Sequence, residues 1–366
     1  MENGKKQGTV MTLDAGGTNF VFSAIRDGKF VVEPLRLDAL ANDLDKCLGQ
    51  MVKGFSEVKR RLDAEPVAIS FAFPGPADYP RGIIGGFMPN FPSFRNGVAL
   101  GAFLEEKFGI PVFINNDADL YAYGEALEGK LPEINEKLRK CGSSKQYKNL
   151  LGYTFGTGFG FGFVSDGRLH IGDNSCVETF CLPNKFNSDI IAEEGVSARA
   201  LKNVYVELTG DTTCASEPKD LFEIAEGIKE GDAAAAKESF SRFGEAAGDS
   251  IAMALSMIDG IVVLGGGITA AHKYFMPALL AELRSSIHTA KGEAVRRVQM
   301  NVYDLDDEEE FKKFAAGESR MLKVPGSERE VEYDPEKRVG IAISKLGASK
   351  AISIGAATYA LREIGK

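Results

Sequence analysis

Asp14-Ala15-Gly16-Gly17-Thr18-Asn19 brings a carboxylate, paired glycines and a hydroxyl together near the start of the chain. It lies between two short apolar runs, 9–13 and 20–25, that read as strands. Glycine permits positive φ and close backbone approach, so such a turn can aim several N–H groups at a phosphate. An aspartate at its mouth can hold Mg²⁺, directly or through water. Without a cation between them, that acid and a phosphate repel. The alternative is an ordinary turn in which Asp serves turn chemistry.

A second turn of the same kind, Gly156-Thr157-Gly158-Phe159-Gly160, separates apolar runs 150–155 and 161–164. Each glycine turn is followed by a further turn and strand. Arg26-Asp27-Gly28-Lys29 leads to 30–32, and Ser165-Asp166-Gly167-Arg168 leads to 169–171. Two β-meanders about 140 residues apart imply an internally duplicated fold. Two such turns could grip a polyphosphate from both sides.

Asn116-Asp117 follows a short strand candidate, 111–114, and opens a helix through Leu120, Tyr123 and Leu127. Phosphoryl transfer needs a group that orients and deprotonates the attacking hydroxyl, and a carboxylate rooted at a helix start is rigid enough to do so. Asn and Asp are also favoured N-caps, so a plain cap is the alternative. Gly265-Gly266-Gly267 closes the apolar run 261–264. It is neither GxxxxGK[ST] nor GxGxxG. It could lay a base or ribose against bare backbone, or simply make a sharp strand–helix turn.

Other elements must position these groups. Leu44, Leu48, Met51, Val52 and Phe55 fall at helical spacing within 38–62. Residues 66–73 read as a buried strand ended by Pro74-Gly75-Pro76. Helices are expected over 98–108, in the Ala-rich 231–257 and through 279–283. This alternation is an α/β pattern. Residues 291–346 look different and read as a surface insertion. They hold an acidic run, 304–310, expected to be a solvated helix start, a loop at Pro325-Gly326-Ser327, and strand candidates 328–333 and 339–344. A closing helix, 351–363, carries Gly355-Ala356-Ala357, small enough for close packing or for a flat ligand.

The 366 residues suit two lobes. A net charge of -9 argues against a nucleic-acid surface, which needs a basic face. No run of apolar residues is long enough to span a membrane, and the first eight residues resemble no secretory leader. Five scattered cysteines (Cys47, Cys141, Cys176, Cys181, Cys214) fit a reduced, cytoplasmic protein. Three histidines leave little for a His-built site.

In order along the chain, these motifs resemble the ROK family of repressors and sugar kinases, within the actin/hexokinase superfamily of ATPases. The matching pieces are 14–19, Pro74-Gly75-Pro76, Pro89-Asn90-Phe91, 114–117, 156–160, 261–267 and Gly355-Ala356-Ala357. The resemblance implies a duplicated, ribonuclease-H-like two-lobe α/β fold with an interlobe cleft. Residues 1–118 would form one lobe, rejoined by the helix at 351–366, and 119–350 the other, including the insertion at about 291–346.

It also implies an ATP- and Mg²⁺-dependent hexose kinase that binds a hexose and ATP and forms a homodimer, with neither nucleic acid nor membrane as partner. Asp117 would be the general base for the sugar 6-hydroxyl. Asn90, Asn116, Glu178 and Glu193 would hold other hydroxyls, which carboxylates can accept in pairs. Glu178 stands where the family has E-x-G-H, and Glu193 where it has L-E-x-x-x-S, with Glu194 as a rival one residue away. Asp14, Gly16, Gly17, Thr18, Asn19, Gly156, Thr157, Gly158, Gly265, Gly266 and Gly267 would bind the nucleotide, with Asp14 on Mg²⁺.

The chain departs from the family at Cys181, where the motif has His, and in lacking the family's cysteine-rich zinc cluster. No zinc is expected, and Cys176 and Cys181 read as core thiols. Alternatives are an N-acetylhexosamine kinase, a fructokinase, a sugar-sensing repressor, a chaperone- or filament-type ATPase and a silent sugar binder. A repressor would need a DNA-binding segment ahead of the first strand, where eight residues stand.

Overall fold

The computed structural model describes residues 8–75, 77–213 and 217–365. Pro76 and Cys214 lie outside the described residues. The chain divides into two compact units. One is Met1–Gly129 with Gly162–Val177 and Lys345–Lys366; the other is Lys130–Phe161 with Glu178–Ser344.

In the first unit, β1 (Val10–Ala15) and β2 (Asn19–Arg26) pair antiparallel across the first glycine turn. β3 (Lys29–Phe30) extends the meander, and β4 (Leu35–Asp38) also pairs with β2. Asp27 (φ 52°) and Gly28 (φ 71°) are both left-handed, as a tight hairpin turn requires. α1 (Leu44–Arg61) begins where the Asp43 side chain accepts from Lys46 N. It buries Cys47, Met51, Phe55 and Val58, one face of a 3.6-residue repeat.

β5 (Ala68–Ala72) is buried along its whole length and runs parallel to β1, which explains its unbroken apolar character. A small sheet of β6 (Ala77–Asp78), β7 (Ile83–Ile84) and β8 (Val98–Ala99) follows, too short to register in the sequence pattern. Then come α2 (Leu100–Phe108), β9 (Val112–Asn115) parallel to β5, and α3 (Asp117–Leu127). Phe20, Phe22, Phe55, Phe71, Phe73, Phe91 and Phe94 are fully buried together, with Phe73 and Phe91 ring centroids 4.6 Å apart. Truncating one such ring to alanine costs about 3–5 kcal/mol.

α4 (Lys130–Lys140), which the sequence pattern did not reveal, precedes the second meander. That meander is β10 (Asn149–Phe155), β11 (Phe159–Ser165) and β12 (Arg168–Leu169), and its Asp166 (φ 48°) and Gly167 (φ 74°) repeat the left-handed pair of the first. Three helices follow: α5 (Ala198–Thr209), α6 (Pro218–Ala225) and α7 (Ala233–Leu255). β13 (Ile261–Gly265), buried throughout, leads to α8 (His272–Leu283).

The region expected to be a surface insertion is of mixed character. β14 (Ser286–His288) and β15 (Ala294–Arg296) form an exposed hairpin. β16 (Asn301–Asp304) and α9 (Glu308–Ala316) follow, then a second exposed hairpin, β17 (Arg320–Lys323) with β18 (Glu330–Tyr333). β19 (Arg338–Ile343) is instead a sheet strand, parallel to both β13 and β16, with Val339 and Ile341 fully buried. The acidic run does start a helix, capped by Asp307. Part of it is structural, because Asp306 accepts from the buried Lys130 ammonium at 2.6 Å and from Ile343 N at 2.6 Å. Its acidic composition hid the neighbouring strand, since a short run beside loops carries little periodicity. α10 (Ala348–Ile364) closes the chain.

The two large sheets share one topology. The first runs β3-β2-β1-β5-β9 and the second β12-β11-β10-β13-β19-β16. In each, a meander is followed by two parallel strands, and the second sheet adds β16 as a third. The helices after the last shared strands, α3 after β9 and α10 after β19, pack on each other in the first unit. A Cβ at Gly355 would stand 1.9 Å from Leu120 O, and one at Gly124 would stand 2.2 Å from Ala351 O. Glycine at both crossings lets the backbones touch, so Gly355-Ala356-Ala357 serves helix packing.

Among the described residues, no helix is long and apolar enough to cross a membrane.

Candidate functional site

In the first unit the expected residues gather at one end of three parallel strands. Asp14 is in register with Ala72, and Ala72 with Asn115. Asp14 and Asn115 thus stand about 10 Å apart across two strand spacings. Ligands of open α/β sheets bind beyond this carboxyl end.

Beyond β9 the chain turns into α3. Asn116 is its N-cap, and its Oδ1 accepts from Ala118 N at 2.8 Å. Asp117 Oδ1 accepts from the same amide at 2.9 Å. Capping is therefore real for Asn116, while the Asp117 side chain remains exposed. Protein nonetheless surrounds Asp117, and desolvation holds its carboxyl above the ordinary aspartate value. The Ala118 amide bond opposes that shift, and the nearby charge of Asp14 adds to it. Asp14 is raised for the same leading reason, desolvation, against the pull of Arg36. Two carboxyls of one unit are thus both held above the ordinary aspartate value, chiefly by desolvation.

α3 is pinned where it matters. A Cβ at Gly162 would lie 2.5 Å from Ala118 O, and Gly355 meets Leu120 O as described. Gly162 escaped the sequence reading, although a glycine inside an apolar strand run is the usual mark of close backbone approach.

The first glycine turn carries Gly16, Gly17, Thr18 and Asn19. Gly16 N donates to Asn19 O at 3.0 Å, and Ala39 N to Thr18 O at 2.9 Å. A Cβ at Gly17 would sit 2.9 Å from both Cβ and O of Asn90. The structure thus brings Asn90 against this turn. Asn90 is exposed, and the next residue, Phe91, anchors it in the aromatic core.

In the second unit, Gly156 N donates to Gly158 O at 3.2 Å and Thr157 is exposed. Thr154, just before the turn, is in register with Gly265. Gly266 has φ 92°, and a Cβ there would lie 2.2 Å from Phe155 O, so only glycine fits. Gly156 and Gly267 face open space. The structure therefore brings the second and third glycine turns together.

Glu193 lies against the second turn, its Oε2 accepting from Phe159 N at 3.1 Å and its Oε1 from Arg199 at 2.9 Å. The sequence reading missed Arg199. Glu178 is half-buried and precedes the buried Thr179.

Cys176 and Cys181 are not core thiols, because both are exposed. They lie in the irregular, polar segment between β12 and α5, where no apolar face forms to bury them. Among the described residues the buried thiol is Cys47, which desolvation raises to about 12. Among the described residues, no group of three or more His, Cys, Asp or Glu side chains is placed to hold a metal ion.

A model of the ROK family matches residues 10–307. The chain belongs to the ROK family. A glucokinase structure from Parabacteroides distasonis is 55% identical with a TM-score of 0.90, covering 99% of each chain. A ROK-family glucokinase from Streptomyces griseus, in complex with glucose and AMPPNP, shares the fold at 17% identity (TM-score 0.60, covering 96% of this chain and 98% of the other). An N-acetyl-D-glucosamine kinase of Photobacterium profundum is 28% identical over 277 residues, 70% of this chain and 83% of its own. As in other ROK proteins, the architecture is the duplicated actin/hexokinase-type α/β fold.

Proposed function

We propose that this ROK-family chain is a sugar kinase that transfers the γ-phosphoryl group of ATP to the 6-hydroxyl of a hexose. Asp117 carries the reading. It is a carboxylate fixed at the start of a pinned helix, exposed, and raised in pKa by its surroundings. A general base works best when its pKa approaches the working pH. The hydroxyl oxygen forms the new O–P bond while its proton passes to Asp117, and the bond from the γ-phosphorus to its bridging oxygen breaks to release ADP.

The remaining roles are proposed residue by residue. Asn90, Asn116 and Glu178 hold sugar hydroxyls, and Glu193 has acceptor capacity left for one. The turns at 16–19, 156–158 and 265–267 receive the nucleotide, and the open faces of Gly156 and Gly267 fit that use. Asp14 is an exposed carboxylate suited to Mg²⁺, which when bound would neutralise phosphate charge. Cys181 stands where the motif has His and cannot match its hydrogen bonding. Selection at the sugar's second carbon should be loose, accepting glucose, mannose and their N-acetylamino relatives. A cytoplasmic homodimer completes the proposal.

The glucokinase and N-acetyl-D-glucosamine kinase relatives support the reading. A sugar-sensing regulator is the second reading. Its support is 29% identity over 164 residues to the DNA-binding transcriptional repressor Mlc of Escherichia coli, 43% of this chain and 36% of that one. A coupled ADP-release assay with ATP, Mg²⁺ and a panel of hexoses and N-acetylhexosamines separates them. Sugar-dependent ADP release supports the kinase; sugar binding without turnover supports the regulator.

A further inference from the structure

We propose that Glu193, held by Arg199, is a positioning residue that fixes the second glycine turn for the phosphates of the nucleotide. This rests on the kinase reading above. All the observations lie inside one compact unit.

Glu193 Oε2 accepts from Phe159 N, the amide that closes the turn, at 3.1 Å. A Cβ at Gly158 would stand 2.8 Å from that same oxygen. Glycine at 158 is thus what admits the carboxylate to the flank of the turn. Glu193 Oε1 accepts from Arg199 Nη2 at 2.9 Å. Arg199 in turn grips Glu194, with Nη2 at 2.7 Å and Nε at 3.1 Å from Oε1. A guanidinium held in a fork has little freedom left, so it fixes the carboxylate it touches. These bonds raise the Arg199 pKa and lower that of Glu194.

The same segment reaches the other end of the turn. Ala198 N donates to Gly156 O at 2.9 Å, beside Ser197, which caps α5. Residues 193–199 therefore bond the turn at both ends, through Gly156 O and Phe159 N. Gly156 N is already satisfied by Gly158 O. The amides of Thr157 and Gly158 and the Thr157 hydroxyl are left to meet a phosphate. Two glycines in a short turn would otherwise sample many backbone states. Bracing sets the donors before the ligand arrives, which is preorganisation. The brace also explains a carboxylate beside an anion site: Arg199 offsets the repulsion.

The test uses the whole chain with Glu193→Gln, which keeps an acceptor but removes the charge, and Arg199→Lys, which keeps the charge but removes the fork. Three quantities are measured: affinity for a non-hydrolysable ATP analogue without sugar, KM for ATP and sugar separately, and hydrogen exchange at 156–160. Glu193→Gln should weaken analogue binding about tenfold, the loss expected for one charge-assisted bond. It should speed exchange at the turn but not in β10 or β13. Arg199→Lys should shift both in the same direction by less, and it carries the test if Glu193→Gln fails to fold.

Unchanged analogue affinity, or a rise confined to the sugar KM, would overturn the inference and leave Glu193 as a sugar ligand alone. A wild-type protein that binds no analogue would sink the kinase reading, and the inference with it.

Discussion

The two halves of the chain are built alike and equipped differently. In each, a meander with a glycine first turn is joined by two parallel strands, the second of them followed by a helix, and the second half adds β16 at its edge. Asp14 stands two residues before Gly16, and Thr154 two residues before Gly156. α3 begins with Asp117 after an Asn116 cap, whereas α10 begins with Ala348 after Gly347. The acids that could handle a proton and a cation therefore lie in the first half. The second half keeps the glycine turns and loses both acids. A polyphosphate repels carboxylates and welcomes bare backbone N–H groups. The two halves therefore differ in charge at two equivalent positions. The bracing differs too: the first turn leans on Asn90, the second on Glu193.

If this asymmetry is functional, the largest effect belongs to Asp117→Asn. It should lower kcat by about 10²–10⁴-fold while leaving sugar binding nearly intact. The matching change in the other half, Ala348→Ser, should leave kcat unaltered; equal losses in steady-state kinetics would break the comparison. The pH dependence has a definite sign. Asp117 must be ionised to act and its pKa is raised, so the acid limb of kcat should lie above 3.8. A raised carboxyl pKa also favours the folded state at low pH and costs stability as pH rises through it. Asp117→Asn should therefore not lower the melting temperature at neutral pH, and a clear drop would show that the charge is structural.

A smaller kinetic effect is expected from Asp14→Asn, which should weaken use of ATP·Mg²⁺ about tenfold or more, with sugar affinity unchanged. Thr154→Ala, its counterpart, should have little effect. A loss confined to sugar binding at Asp14 would mean that the first turn has been given the wrong ligand.

Stability comes next. Gly355→Ala places a methyl 1.9 Å from Leu120 O and should destabilise by about 1–3 kcal/mol in denaturant unfolding. Gly49→Ala, in the open on α1, should instead stabilise by about 0.5–1 kcal/mol. Similar values for the two would mean that the α3–α10 crossing is slack.

The smallest effect should come from replacing 320–333 with a short Gly/Ser linker. Both strands of that hairpin are exposed throughout, so kcat should stay within about threefold, because loop changes act mainly through closure entropy. A wider deletion from Asp304 is a different experiment: it removes Asp306 from buried Lys130 and strips Phe314 from Tyr147. If removal of the hairpin alone abolished turnover, the hairpin would belong to the site.

Much was legible from residue types. The two meanders, their glycine turns, α1 and α7 follow from periodicity and turn chemistry, which act over a few residues. Asp14 and Asp117 stand out by residue type and position, although turn chemistry and helix capping can each place an aspartate there. What stayed hidden depended on neighbours distant in sequence. β19 was read as part of an insertion, because whether a six-residue apolar run is core or surface depends on the strand beside it. Cys176 and Cys181 were read as buried, because thiols pack inside only where an apolar face exists. Arg199 gave no signal, since a single arginine near two glutamates is common on any helix start.

The sequence by itself determined the duplication, the α/β class and the chemistry available at each turn, because these rest on local spacing and side-chain type. The tertiary structure alone decided which glycines are spacers and which are contact points. It also decided that α10 meets α3 backbone to backbone at Gly124 and Gly355, and that one glutamate bonds a turn more than thirty residues away. Those outcomes depend on close approach between segments far apart in the chain, and no local pattern encodes a distance across space.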